Sequence, residues 1–339
     1  MQVKYYTSNI TKYYLGGDMK RVLIMPYFGR FNEYFNLWLE SCKYNKDIDW
    51  LIVTDNIIDN KPNNVNVINQ TFDEFIQFIQ SKFKFKINLK TPYKLCDYKA
   101  YYGYIFSDYI KKYDFWGYCD CDIIFGKISD FIDEDLFNQY DKLLRRGHLS
   151  FIRNKEEINN NFFKYDTYKM VLTSPIIYGY DESIYGYHNG FAGELLESGY
   201  RFYEDNNNIA DIDFRNYGFN IIDSEYKNCI FSFEEGRVYK HYLNEKKIIK
   251  DEVMYVHFQK RKMLNKLVNI ENKYIMLPNE FIEYDDNLLS DPNLYEQYIS
   301  SNEDYYDYRK EKKENIKRDI MRFLYEPKKI DSLRYRFNR

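Results

Sequence analysis

Residues 118–125 read YCDCDIIF: two cysteines and two aspartates interleaved, then an apolar run, Ile123-Ile124-Phe125. In an extended chain alternate side chains point to opposite faces. Asp120 and Asp122 then share one side, and Cys119 and Cys121 the other. A free cysteine behaves as a small buried hydrophobe. Two adjacent carboxylates repel each other and resist burial unless a cation sits between them. The pattern predicts cysteines toward a core and aspartates toward a hard cation. The plain alternative is that an aspartate caps the following turn. Zinc on the cysteines lacks a second nearby pair, because Cys42, Cys96 and Cys229 are scattered.

Upstream, VLIMPY (22–27) reads as a buried strand. FNEYFNLWLESCKYN follows with Phe31, Phe35, Trp38 and Cys42 at helical spacing. DWLIVTD (49–55) and VNVI (65–68) read as strands, and a helix begins near Thr71. Thr91-Pro92 predicts the start of a longer α-helix, with Leu95, Tyr98, Tyr102, Ile105 and Tyr109 on one face and Lys111-Lys112 at its end. Strands alternating with helices predict an α/β sheet, with the aspartate pair at a strand's end, where such sheets bind ligands. Beyond residue 150, HLSFI, MVLTS and EVMYVHF read as strands, and HNGFAGELLESG as a helix stopping at Gly199.

The 339-residue chain has a net charge of −3, which gives no sign of nucleic-acid binding. Five irregularly spaced cysteines and no apolar leader predict reduced thiols in the cytoplasm. No run of 18 apolar residues predicts a membrane span. Aromatic content reaches 20%, with 38 tyrosines; this reads as compositional bias or as rings for stacking on sugars. Between Arg309 and Arg339 there are twelve Lys/Arg against five Asp/Glu. Such a basic tail reads either as a contact with an anionic membrane surface or as a solvated helix packed on the domain or a partner. The expected divisions are an extension (1–18), a main domain (19–262) and a helical, basic C-terminal extension (263–339).

The block YKLCDYKAYYGYIFSDYIKKYDFWGYCDCDIIFG resembles the nucleotide-sugar glycosyltransferases of GT-A fold. With VLIMPYFGRF, DWLIVTDN and HFQKRKM, it is most similar to bacterial proteins assigned as glycosyltransferases and encoded with surface-polysaccharide genes. The resemblance implies a Rossmann-like domain with a mixed central sheet. It implies an Asp120-x-Asp122 motif chelating Mn²⁺ or Mg²⁺ on the donor diphosphate, joined by the late His257. Asp97 resembles the aspartate that reaches the nucleoside, and Asp55 the acidic residue near the base or ribose. Lys99 and Cys121 fall within the implied nucleotide-sugar contacts. The HxxGxxKPW signature of some relatives is absent, which leaves the diphosphate contacts open.

The chemistry suits those residue types. A divalent cation stabilises a departing diphosphate as a Lewis acid, and oxygen ligands suit Mg²⁺ and Mn²⁺. Lys260 and Arg261 are candidate cations for the diphosphate, with a solvated surface pair as the alternative. Tyr27 and Phe28 stack on a base or pack in the core. An inverting transferase needs a carboxylate base, for which Asp181 and Glu182 are the candidates, with His188 a rival. His188 and Asn189 are also the expected acceptor contacts. The leading expectation is a metal-dependent transferase moving a sugar, from a UDP-sugar for preference, onto a glycan or lipid-linked acceptor. One rival is a non-catalytic member that binds a nucleotide sugar or a partner. Another is a phosphohydrolase with Asp120 as nucleophile, although such enzymes carry their motif near the first strand.

Overall fold

The computed structural model describes residues 19–182, 190–259, 261–269 and 272–299. Three parallel strands come first, β1 (Arg21–Tyr27), β2 (Ile48–Thr54) and β3 (Val65–Asn69). Helix α1 (Phe35–Lys43) joins the first two, and α2 (Phe72–Lys82) follows the third. β1 alternates cleanly: Val22 and Ile24 face one apolar cluster, Leu23 and Met25 the other. A sheet covered on both faces explains its continuous hydrophobic run. Thr71 and Glu74 start α2 with a reciprocal capping box.

β4 (Phe115–Cys119) lies parallel to β1 on the side away from β2. β5 (Ile123–Phe125) follows the aspartate pair. β6 (Lys142–Leu143), β7 (Leu149–Arg153) and β8 (Phe202–Tyr203) complete a mixed seven-stranded sheet in the order β3-β2-β1-β4-β7-β6-β8. Strand order reverses between β1 and β4, and sheets of this kind bind ligands beyond the carboxyl ends of strands at such a point. β9 (Ile209–Asp211) pairs in parallel with a later strand described below.

β10 (Ile230–Glu234), β11 (Arg237–Asn244) and β12 (Lys247–Val253) form an antiparallel meander. β13 (Tyr255–His257) then leaves it to pair with β5 and β9. β14 (Leu264–Asn265), β15 (Lys273–Leu277) and β16 (Glu280–Glu283) return to the meander and make a six-stranded sheet, with β15 against β10. The expected division at 262 therefore cuts through a sheet, and β14, β15 and β16 stand where a helical extension was expected. The helix Pro292–Ile299 follows them. The basic tail lies outside the described residues. Among the described residues no helix is long and apolar enough to cross a membrane.

Two further expectations change. The segment after Thr91 is a 3-10 helix, Pro92–Tyr101, ending in one α-turn, Tyr102–Ile105, and Thr91 makes no side-chain cap bond. Tyr109 is half exposed beyond it, and Lys111 and Lys112 follow in turns. Tighter winding lets the segment bury Lys94 and Asp97 as well as its apolar residues. MVLTS belongs to the helix Thr167–Thr173, which buries Val171 and Leu172 against the cluster over one face of the first sheet.

Candidate metal and donor site

β4 ends at Cys119, so the aspartates sit on a bend, not in the strand. Cys119 is buried in the core; Cys121 is half-buried on the same cluster. The bend is tied at every carbonyl. The Trp38 indole N–H donates to Asp120 O at 3.1 Å, and Asn32 Nδ2 donates to Cys121 O at 2.9 Å. Phe258 N–H donates to Asp122 O at 2.9 Å, while Asp120 N–H donates to His148 O at 3.1 Å. A backbone held at each residue presents both carboxylates in one arrangement before any ligand arrives.

His257 comes to the bend from β13. Its Nε2 is 3.4 Å from Asp122 Oδ1, and its Nδ1 is 2.8 Å from Asp211 Oδ1. One ligand atom from each of Asp120, Asp122 and His257 falls within 4.8 Å of the others. The Asp120 and Asp122 side chains are 33% and 26% exposed, open to a ligand, whereas His257 is buried. Two carboxylates and an imidazole fit a hard divalent ion, which needs metal–oxygen distances of about 2.0–2.1 Å for Mg²⁺, after a small closing movement. Burial alone would lower the His257 pKa, but Asp122 and Asp211 outweigh it and raise it to about 10. Burial would raise Asp211; its hydrogen bond and charge interaction with His257 instead hold it well below the usual carboxylate range.

Lys99 fills the other side. Its Nζ donates to Asp120 Oδ1 at 2.6 Å and Gly147 O at 2.8 Å, and lies 3.5 Å from Asp181. Burial penalises this ammonium, yet the two acids keep its pKa above normal. Burial raises Asp120, with Lys99 opposing. Burial pushes Asp181 up to about 7, again against Lys99. Glu182 is exposed and accepts the Gly147 N–H at 2.6 Å. Asp181 and Glu182 thus reach the same corner as the metal candidates.

On the β1 side, Gly29 has φ +97° and donates its N–H to Asp55 Oδ1 at 3.0 Å. Asn56 Nδ2 donates to Gly29 O at 2.7 Å, closing the loop. Tyr27 stands half-buried beside Cys121 and Asp122; burial first, then those neighbours, push its pKa up to about 12. Its ring begins a parallel stack, Tyr27–Phe31–Phe35–Trp38, which leads into the indole that holds Asp120.

Other predicted residues lie elsewhere. Phe28 packs on Phe72 and Phe75 in the core, so it is no base platform. Asp97 is sealed in: Lys94 and the backbone N–H groups of Tyr178 and Tyr180 take its oxygens, which anchors a loop instead of a nucleoside. Arg261 is buried and binds the carbonyls of Asp213, Asn216, Tyr217 and Gly218, which makes it a loop clamp, not a diphosphate contact. Lys260, His188 and Asn189 lie outside the described residues. Burial and neighbouring acids hold the Cys121 thiol well above its ordinary pKa, against a thiolate metal ligand. Asp211, His148, Asn32 and Trp38 were not read as site residues; Asp211 lies in IADID (209–213), where no periodicity marks it.

A family model matches residues 23–285, spanning both ends of this site. The chain belongs to that family, described as a family of unknown function (DUF6625). No curated protein matches this DUF6625 member. Among solved structures, it is similar to a galactosyltransferase determined with donor and acceptor sugar analogues. That similarity is at 12% identity, over 57% of this chain and 75% of that one, with a TM-score of 0.31.

Proposed function

We propose that this protein is a metal-dependent glycosyltransferase of GT-A type. It takes a sugar from a nucleotide-diphosphate donor, a UDP-sugar for preference, and passes it to a glycan or lipid-linked acceptor in bacterial surface-polysaccharide synthesis. The observation that carries the reading is the convergence of Asp120, Asp122 and His257 beyond the carboxyl end of β4, beside the point where strand order reverses. The resemblance of residues 93–126 to nucleotide-sugar transferases supports it as well.

In this reading Asp120, Asp122 and His257 hold Mn²⁺ or Mg²⁺. The ion supplies Lewis-acid stabilisation of the charge that develops on the leaving diphosphate. Lys99 neutralises Asp120 from behind and separates it from Asp181, so three carboxylates can crowd one corner. The loop of Tyr27, Gly29 and Asp55 borders this region on the nucleoside side, with Asp55 exposed to reach a ribose or base. Asp181, held near neutrality, is the group suited to take the acceptor hydroxyl proton in an inverting course.

Thermal unfolding of wild type and Asp122→Asn with a panel of nucleotide sugars, each with and without Mn²⁺, tests this. One donor should raise the melting temperature by a few degrees in wild type, only with Mn²⁺, and not in the variant. No shift with any donor would sink the reading.

A further inference from the structure

Behind the aspartate bend lies a second convergence. Ligand atoms of His148, Asp211 and His257 also fall within 4.8 Å of one another, and all three residues are buried. We propose that these three residues form an inner cation site for a nitrogen-seeking ion such as Zn²⁺, which competes with the Asp120–Asp122 centre for His257.

His148 carries the argument. Its side chain is 4% exposed, and its Nε2 is buried without a hydrogen-bond partner. A buried polar atom left unpaired is costly, so it calls for a ligand. Nδ1 faces the Tyr255 hydroxyl at 2.9 Å. With the Nδ1 proton given to that oxygen, Nε2 offers a bare lone pair. It points toward Asp211, whose Oδ2 is 3.8 Å away. His257 stacks on His148 with centroids 4.3 Å apart and brings Nδ1 to 2.8 Å from Asp211 Oδ1. Donors around a tetrahedral Zn²⁺, at bonds of about 2.0–2.1 Å, stand roughly 3.3 Å apart. The two measured separations run to different Asp211 oxygens, so an ion is taken up as the carboxylate swings one oxygen between the two rings.

The donor set also separates the two sites by metal type. The outer site offers two carboxylates and one imidazole, which suits Mg²⁺ or Mn²⁺. The inner one offers two imidazoles and one carboxylate in a dry setting, which suits Zn²⁺ with water as the fourth ligand. Two groups now engage Asp211 and must be accommodated. Gln259 Nε2 donates to Oδ1 at 2.8 Å and can stay, because a carboxylate oxygen has two lone pairs. Arg146 Nη1 donates to Oδ2 at 2.9 Å and must yield; its Nη2 and Nε keep the guanidinium on Asp223 at 3.3 Å and Asn206 at 3.4 Å. Entry of the ion displaces one proton, from His257 Nδ1, while Nε2 keeps its proton for Asp122. The ring then has no free nitrogen for the outer ion, and the two metals exclude each other.

The inner site includes neither aspartate of the bend, so its fate is separable from the transferase reading. Calorimetric titration of Zn²⁺ and of Mn²⁺ into the full-length chain, as wild type, Asp122→Asn, His148→Ala and His148→Gln, tests it. Asp122→Asn should lose Mn²⁺ binding and keep one Zn²⁺ equivalent. Both His148 variants should bind Zn²⁺ at least tenfold more weakly while keeping wild-type Mn²⁺ affinity, which also reports that they are folded. In the Asp122→Asn background, which lacks the outer centre, adding either His148 change should weaken Zn²⁺ at least tenfold. The proposal is overturned if Zn²⁺ binds the His148 variants as tightly as wild type, or if Asp122→Asn binds none. Asp211 is then only the carboxylate that orients His257. Loss of Mn²⁺ binding in wild type alone would count against the transferase reading and leave the zinc result to stand or fall separately.

Discussion

The 3-10 helix Pro92–Tyr101 carries two lysines, each paired with an aspartate at nearly the same distance, 2.7 Å for Lys94–Asp97 and 2.6 Å for Lys99–Asp120. Their surroundings differ completely. Lys94 and Asp97 are sealed, and Ile176 O together with two backbone N–H groups takes up their remaining capacity. Asp120 is one-third exposed, and its lysine is shared with Asp181 and Gly147 O. The first pair is finished by the fold; the second still has capacity for a ligand. Residue type and spacing do not distinguish a structural ion pair from a site. Saturation of the partners does.

The largest break in this comparison should come from Lys94→Met. It strands the Asp97 carboxylate without its partner charge and should cost about 3–5 kcal/mol in denaturant unfolding. Asp122→Asn should cost less baseline stability, because Asp211 still partners the buried His257 ring. It should instead abolish about 2.7 kcal/mol of stabilisation by Mn²⁺ plus donor at a hundred times the dissociation constant, read by thermal shift. A buried histidine away from the site gives a sharper control. Burial holds His241, bound to Ser232 Oγ at 2.8 Å, down to about 4, below its unfolded value near 6.5. The unfolded state takes up the proton first, so stability is full above pH 6.5 and falls as pH drops toward 4. The loss between pH 7 and pH 5 should be about 2 kcal/mol, and His241→Gln should flatten it. Asn32→Ala removes one clamp from the bend. It should cost about 1 kcal/mol of stability and a larger share of Mn²⁺ affinity.

The parallel half of the molecule was legible because its strands are buried on both faces and bounded by turn residues. β1, β2 and β3 fall close to their predicted limits, and α2 begins just after Thr71 as expected. MVLTS misled because a five-residue apolar run has no resolvable period. The C-terminal strands were missed although Leu277-Pro278-Asn279-Glu280 carries a hairpin signal, with Asn279 at φ +69°. In the site, Asp120 and Asp122 were readable from type and spacing, whereas His257 was reached only through the resemblance. Asp97, Phe28 and Arg261 were read as ligand contacts because nothing in one dimension reveals that a carboxylate faces two backbone amides or that a guanidinium faces four carbonyls. Asp211 and His148 were invisible for the converse reason: β9 and β7 bring them to His257 only through pairing across the fold.

The aspartate bend takes its shape from Asn32, Trp38 and Phe258, near opposite ends of the domain. A growing chain therefore has its two carboxylates long before it has their setting. During synthesis, with domains folding from the N-terminus onward, the first sheet can form early, but the bend gains its last clamp and its histidine only when β13 docks. The cation-binding corner is completed late, and a chain truncated before residue 255 carries the motif without its histidine or the Phe258 clamp.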